Sequence, residues 1–205
     1  MNPATGDCWT RGKLSPEGFR FIKGYEGYAP SSYKDSEGYE TICYGITKHA
    51  EPEIFNSLKA KQPINNEEIG ATASYVCYNK NYGEKILKVC KDELKINKQY
   101  QFDALVSFSI NLGPNILLDR NSLLYKTIKA DITNQKAIKD AFNRYVHGGG
   151  GAVIPGLVPR RKDEGNMFFG EKIKNRDICI INTSGACTSQ KVTTNKGNGW
   201  LPDKC

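Results

Sequence analysis

Apolar side chains recur with a helical period at the start of the chain. Phe19, Ile22 and Glu26 follow at i, i+3 and i+7, so they share one face of a helix. Ser15-Pro16-Glu17 supplies the start: a capping hydroxyl, a proline whose missing N–H is not needed there, and an acid in the first turn. The pattern then changes to alternation punctuated by Gly38 and Gly45, which predicts a hairpin. In its strand Thr41-Ile42-Cys43-Tyr44, Thr41 and Cys43 are expected on one face, Ile42 and Tyr44 on the other. Helical patterning returns at about 51–61. Asn65-Asn66-Glu67-Glu68 then caps a long run to about residue 82, and a second run covers 84–96. Residues 100–112 read as a buried helix, with Phe102, Leu105, Val106, Phe108, Ser109 and Leu112 packing two sides. Another helix is expected over 134–147, carrying Ala137, Ile138, Ala141, Phe142 and Tyr145 on one face. The glycines from Gly148 onward end it, as a helix stop or a hinge. Arg160, Arg161 and Glu164 read as a helix start whose charges pair within the core.

These elements predict an α+β chain, mainly α. Its 205 residues suffice for one compact domain with a real core, arranged in one or two lobes. Residues 1–13 read as an irregular arm and 14–170 as the main domain. Past Gly170 the composition shifts to Asn, Thr, Ser, Gly and Lys, interrupted by a β-prone run, Ile178-Cys179-Ile180-Ile181. That tail, 171–205, is too short for a conventional domain. A surface extension, a cysteine-stapled cap, a wall-binding element or a connection to another protein are all open.

Charge and cysteine content narrow the chemistry. The formal charge of +7 suits a polyanion or an anionic cell envelope. The Lys and Arg residues are scattered rather than striped, and no zinc finger, RNA-recognition or helix-turn-helix signature is present, so nucleic acid is not the expected partner. No apolar run approaches the length of a membrane span, and Met1 to Lys13 does not read as a secretory signal. Seven cysteines include no CxxC pair and no Cys/His cluster, so neither a metal nor any other cofactor is expected. Cys179–Cys187, Cys77–Cys90 and Cys8–Cys205 are conceivable disulfides, and Cys43 is the candidate free, buried thiol.

The reactive groups lie between Phe21 and Thr47: Glu26, eight residues, Asp35, five residues, Thr41. Two carboxyls on neighbouring elements are what glycosidic cleavage requires, one to protonate the leaving oxygen and the other to activate water. Glu26, leaving its helix on the apolar face, suits the acid, because desolvation favours the protonated form. Asp35, in a polar turn, is expected to stay ionised. By spacing alone, a solvated helix end followed by a polar hairpin explains these residues equally well.

Longer motifs change that balance. Glu26-Gly27, Tyr33, Asp35, Gly38, Thr41-Ile42, Tyr44-Gly45 and Thr47 stand in the register of the catalytic region of glycoside hydrolase family 24, the phage-type lysozymes and endolysins. Phe102-Asp103-Ala104-Leu105-Val106-Ser107-Phe108 with Asn111 and Gly113 resembles a second block of that family. So do Ser122-Leu123-Leu124, and Ile154-Pro155-Gly156-Leu157-Val158-Pro159-Arg160-Arg161 with Glu164. The resemblance runs over roughly 13–170. Departures are Cys43 where the family usually has glycine, Ile46 where histidine is common, and His147 near a small-residue position. Cys43 bears on substrate fit and redox sensitivity rather than on reaction class.

The resemblance implies a two-lobed fold, with a small β-hairpin lobe over about 14–64 and a linking helix and helical lobe over about 65–170. It implies hydrolysis of the β-1,4 bond between N-acetylmuramic acid and N-acetylglucosamine with inversion. Glu26 is then the acid and Asp35 and Thr41 hold the water, while Tyr33, Asn111 and Ser122 are candidate substrate contacts. Bacterial peptidoglycan is the expected partner. Such an enzyme would be made in the host cytoplasm and act at the cell wall, delivered by a phage holin or carried on the virion tail. A tail lysozyme for genome entry, a lytic transglycosylase and a non-catalytic wall-binding or structural protein are the alternatives to an endolysin.

Overall fold

A computed structural model describes residues 11–148 and 150–191. They form two compact units, one built from residues 19–78 and 175–191, the other from 11–18 and 79–174. No helix among the described residues is long and apolar enough to cross a membrane.

The first unit begins within α1 (Pro16–Glu26) and carries an antiparallel sheet of order β1-β2-β3. Strand β1 (Ala29–Lys34) pairs with β2 (Glu40–Cys43), and β2 with β3 (Ile46–Thr47). Helices α2 (Pro52–Lys59) and α3 (Glu67–Tyr78) complete it. Phe19, Ile22, Ile42, Tyr44 and Phe55 are fully buried, as the helical and alternating patterns predict. Into this apolar interior Lys23 brings a charge. Its Nζ meets Glu67 Oε1 at 3.2 Å, and the Tyr44 hydroxyl donates to the same oxygen at 2.5 Å. The Lys23 ammonium also lies 5.4 Å from the centroid of the Tyr44 ring, and the Tyr78 hydroxyl donates to the Tyr44 carbonyl.

The tail belongs to this unit too. Strands β4 (Ile178–Ile181) and β5 (Cys187–Lys191) form an antiparallel hairpin closed by a Cys179–Cys187 disulfide. The Tyr28 N–H donates to the Cys179 carbonyl at 2.7 Å, and the Ile181 N–H donates to the Tyr28 carbonyl at 2.8 Å. Cys43, Cys77 and Cys90 are buried thiols outside any disulfide, so the Cys77–Cys90 pairing does not occur. The Cys8–Cys205 pairing lies outside the described residues.

The other unit is helical. Helix α5 (Gln99–Leu112) is buried from Gln101 to Ser109 and packs against α9 (Leu157–Phe168). Between α4 (Glu84–Lys88) and α9 the chain also forms α6 (Asn115–Leu118), α7 (Leu123–Ala130) and α8 (Gln135–Asn143). Arg160, Arg161 and Glu164 pair inside this core. Glu164 accepts from Ser107 at 2.7 Å and from Arg160 at 3.2 Å, and Arg161 Nε stands 2.9 Å from its other oxygen. Burial pushes the Glu164 carboxyl up, and the two guanidiniums oppose that.

Three expected helices come out differently, those over 65–82, 84–96 and 134–147. The run expected over 65–82 leaves α geometry after Tyr78 and continues as a π turn, Asn79–Gly83, then α4, then a second π turn, Val89–Glu93. The first π turn spans the places where the N-terminal segment docks. Asn79 Oδ1 accepts the Leu14 N–H at 3.0 Å, and a Cβ on Gly83 would stand 2.1 Å from the Gly12 carbonyl oxygen. Helix α8 stops at Asn143, short of 147, because the following backbone pairs instead with residues 152–154. The Ile154 N–H donates to the Val146 carbonyl, the Gly148 N–H to the Ala152 carbonyl, and His147 bridges Val153. Gly148 and Gly151 thus lie in a tight turn, with the Gly151 N–H donating to the Gly148 carbonyl.

Ser15 caps α1 as the sequence predicts, accepting the Gly18 N–H at 3.0 Å. It also donates its hydroxyl to Asp103 Oδ2 at 2.6 Å and its N–H to Oδ1 at 3.0 Å. Gly18 is required here, since a Cβ would fall 2.4 Å from Asp103 Cγ. Burial pushes the Asp103 carboxyl up to about 6, while bonds from Ser15 and Gln99 pull it down. The folded state therefore binds this proton more tightly than the unfolded chain. Asp103 contributes stability at low pH that is lost as pH rises from the ordinary aspartate range through about 6. We expect the melting temperature of Asp103→Asn, relative to wild type, to rise between pH 4 and pH 6 and level off above about 6. Parallel thermal melts across that window measure it.

Candidate active site

Glu26 is the last residue of α1 and is half-buried. Gly27 ends the helix with a left-handed backbone, φ +70°, and its N–H donates to the Lys23 carbonyl at 3.1 Å. Across from it lies Gly45, whose left-handed φ of +85° favours glycine. A Cβ there would lie 3.6 Å from Glu26 Oε2 and 3.4 Å from the Tyr78 hydroxyl.

Asp35 is held by the turn that it forms. Its Oδ1 accepts the N–H groups of Glu37 and Tyr39, each at 3.0 Å, and its Oδ2 accepts the Thr41 hydroxyl at 3.0 Å. The backbone closes the same loop. The Asp35 N–H donates to the Tyr39 carbonyl, the Gly38 N–H donates to the Asp35 carbonyl, and Gly38 takes φ +85°. A short acidic side chain that bonds backbone two and four residues on explains aspartate here. Thr41 is buried, one residue into β2 and opposite Tyr33 in the ladder. The Asp35–Thr41 hydrogen bond joins two of the three residues singled out in the sequence.

Tyr33 ties them to the third. Its phenol is pushed up, first by burial, then by the charge of Glu26 and then by that of Asp35. One half-buried hydroxyl thus lies within electrostatic reach of both carboxyls. Glu26, Tyr33, Asp35 and Thr41 all belong to the unit that carries the sheet. Asn111 and Ser122 belong to the helical unit. Asn111 is exposed near the end of α5, free of the core packing that takes up its helix. Ser122 is buried, and its hydroxyl accepts the Tyr125 N–H at 3.3 Å, capping α7. That cap is a local reason for serine at this position.

Cys43 occupies a backbone with φ +55°, a region where glycine is favoured. The extended alternation of β2 ends there, and the thiol packs against Gly70 and Tyr28. A Cβ on Gly70 would stand 2.7 Å from Cys43 Sγ and 2.8 Å from the Tyr28 ring. The sequence singled out Cys43 but carried no signal for Gly70, whose role depends on α3 reaching the sheet. Burial pushes the Cys43 thiol up to about 12, so it stays protonated and a poor nucleophile.

The fold has counterparts among solved structures. An endolysin from Escherichia coli O157:H7 phage FAHEc1 superposes with a TM-score of 0.58 at 24% identity, over 76% of this chain and 92% of that one. A P22 lysozyme mutant gives a TM-score of 0.55 at 21% identity, over 77% and 98%. The muramidase domain of SpmX from Asticaccaulis excentricus gives 0.54 at 21%, over 76% and 97%. These likenesses define a lysozyme-like fold. Two endolysins are similar in sequence: that of Bacillus phage PZA at 30% identity over 88% of this chain, and that of Bacillus phage B103 at 29% over 79%. The chain spans 62% and 56% of their respective lengths. Residues 23–164 match the phage lysozyme family, to which the chain belongs.

The fit between Cys43 and Gly70 is open to a mutant cycle. Gly70→Ala should destabilise the protein by about 1–3 kcal/mol through overpacking. In a Cys43→Gly background the loss should be smaller, because the nearest clashing atom is gone. Denaturant melts of the four proteins measure the difference.

Proposed function

We propose that the chain is a muramidase that hydrolyses the β-1,4 bond between N-acetylmuramic acid and N-acetylglucosamine in bacterial peptidoglycan, acting as a phage endolysin. The observation that carries this is the Asp35–Thr41 hydrogen bond, with Tyr33 opposite Thr41 in the ladder. Membership of the phage lysozyme family and the endolysin names of its relatives support the reading.

In this mechanism Glu26 gives its proton to the glycosidic oxygen as the C1–O bond breaks. A water held by Asp35 and Thr41 attacks C1 from the opposite face and gives up its proton to Asp35. The product is the inverted anomer, and a carboxyl separation of about 6.5–9.5 Å suits that course. The turn's backbone N–H groups and the Thr41 hydroxyl already orient the Asp35 carboxylate, so little reorganisation is left for the reaction step. Tyr33 and Asn111 are proposed substrate contacts. Delivery to the wall through a holin pore is the proposed route, with a place on the virion tail as the alternative.

Glu26→Gln keeps the shape of the side chain and removes the transferable proton. It should fold normally and lose at least about 10²–10⁴-fold in turnover of purified peptidoglycan. Near-wild-type release of muropeptides by this variant contradicts the assignment. Thr41→Val should lower kcat with little change in thermal stability, because Asp35 keeps its two backbone donors. Mass spectrometry of the products separates hydrolysis, which leaves reducing muramic ends, from transglycosylation, which leaves 1,6-anhydro ends.

A further inference from the structure

The C-terminal hairpin lies beyond the residues that match the family, yet it touches the chain on both sides of Glu26. Before Glu26, the Arg176 guanidinium stands 4.3 Å from the centroid of the Tyr25 ring, and a Cβ on Gly24 would meet the Arg176 side chain at 2.9 Å. After it, a Cβ on Gly27 would lie 3.0 Å from both the Cys179 carbonyl oxygen and the Ile181 side chain. Tyr28 exchanges two backbone hydrogen bonds with Cys179 and Ile181, at 2.7 and 2.8 Å. The same hairpin reaches the second carboxyl. A Cβ on Gly185 would stand 3.2 Å from the Tyr33 ring and 3.6 Å from the Lys34 carbonyl oxygen, immediately before Asp35.

The loop of the hairpin is built like the Asp35 turn. Asn182 Oδ1 accepts the N–H groups of Ser184 and Ala186, the Asn182 N–H donates to the Ala186 carbonyl, and Gly185 takes φ +82°. A disulfide closes the strands over a separation of 8 residues. The element is therefore stiff at its tip and along its strands, and it meets the backbone around each proposed catalytic carboxyl.

We infer that residues 176–187 are a positioning element, which clasps the chain on either side of Glu26 and abuts Tyr33–Lys34 before Asp35, and so sets where the two carboxyls stand. The inference rests on the muramidase reading for its kinetic consequence, and on the backbone contacts alone for its geometric one. Tyr28 N–H and C=O are fixed by β4, which removes the freedom of the chain leaving α1 to rotate the Glu26 side chain away. Misplacement of about 1 Å at such a group costs on the order of 10²-fold in rate.

Two variants of the full chain test this. Ile181→Pro deletes the N–H that the Tyr28 carbonyl accepts, with Ile181→Val as the conservative form that keeps it. Cys179→Ser/Cys187→Ser removes the covalent tie between β4 and β5. Carboxyl ¹³C NMR, with the Glu26 and Asp35 signals assigned by their loss in Glu26→Gln and Asp35→Asn, reports the positions without relying on activity. We expect both signals to move in Ile181→Pro and in the double serine variant and not in Ile181→Val. We also expect kcat on peptidoglycan to fall by about 10-fold or more with KM within about twofold. Unmoved carboxyl signals in both variants overturn the inference, as does a loss of kcat no larger than the loss of folded protein. If the signals move but even the wild-type chain releases no muropeptides, the muramidase reading fails and the positioning role stands.

Discussion

Lys23 and Glu67 form an ion pair almost closed to water, and the unit that carries Glu26, Asp35 and Thr41 is organised around it. Lys23 lies one turn before Glu26 on α1, Glu67 opens α3, and Tyr44, which shares the Glu67 oxygen, follows β2. Three elements thus meet at one carboxylate. Burying two charges is costly unless they face each other and bond further, and loss of one partner typically costs about 3–5 kcal/mol. The pair therefore fixes the last turn of α1 against the start of α3 and the turn into β3. Gly45, which lies beside Glu26, follows Tyr44 directly.

Around that centre, short-range hydrogen bonding orients the chemistry. Asp35 spends one oxygen on the backbone of its own turn and the other on Thr41. This separates shape from proposed reactivity: Oδ1 makes the loop, and Oδ2 with Thr41 is the pair proposed to hold the water. The Asn182 turn repeats the loop without the charge. An amide serves where only the shape is needed, and an acid stands where the proposed reaction needs a base. In the helical unit the buried Arg160–Arg161–Glu164 cluster shows the alternative use of charge, since its groups are consumed by one another and by Ser107.

Cys43 shows how a departure from a family pattern is absorbed. The backbone there is left-handed, which accounts for the glycine usual in the family. A residue with a side chain carries some strain in that conformation, on the order of 1–2 kcal/mol. The thiol recovers part of it by filling the space over Gly70 beside Tyr28. Buried and protonated, it does not compete with the carboxyls.

The sequence by itself determined the helix starts, the core face of α1, that of α5 except for Leu112, which is exposed, and the hairpin, because caps, periodicity and turn chemistry act over a few residues. Glu26, Asp35 and Thr41 were singled out there too as the proposed reactive groups. It also determined that Arg160, Arg161 and Glu164 pair, since they lie within one turn of a helix. Only the tertiary structure decided where α3 gives way to π geometry and where α8 stops, because each depends on backbone from elsewhere: the docking of Gly12 and Leu14, and the pairing of Val146 with Ile154. It alone decided that Gly70 makes room for Cys43. It also brought residues 175–191 back against Tyr28, across some 150 residues of chain. No local pattern encodes that return, because the partners are main-chain groups, which every residue carries alike.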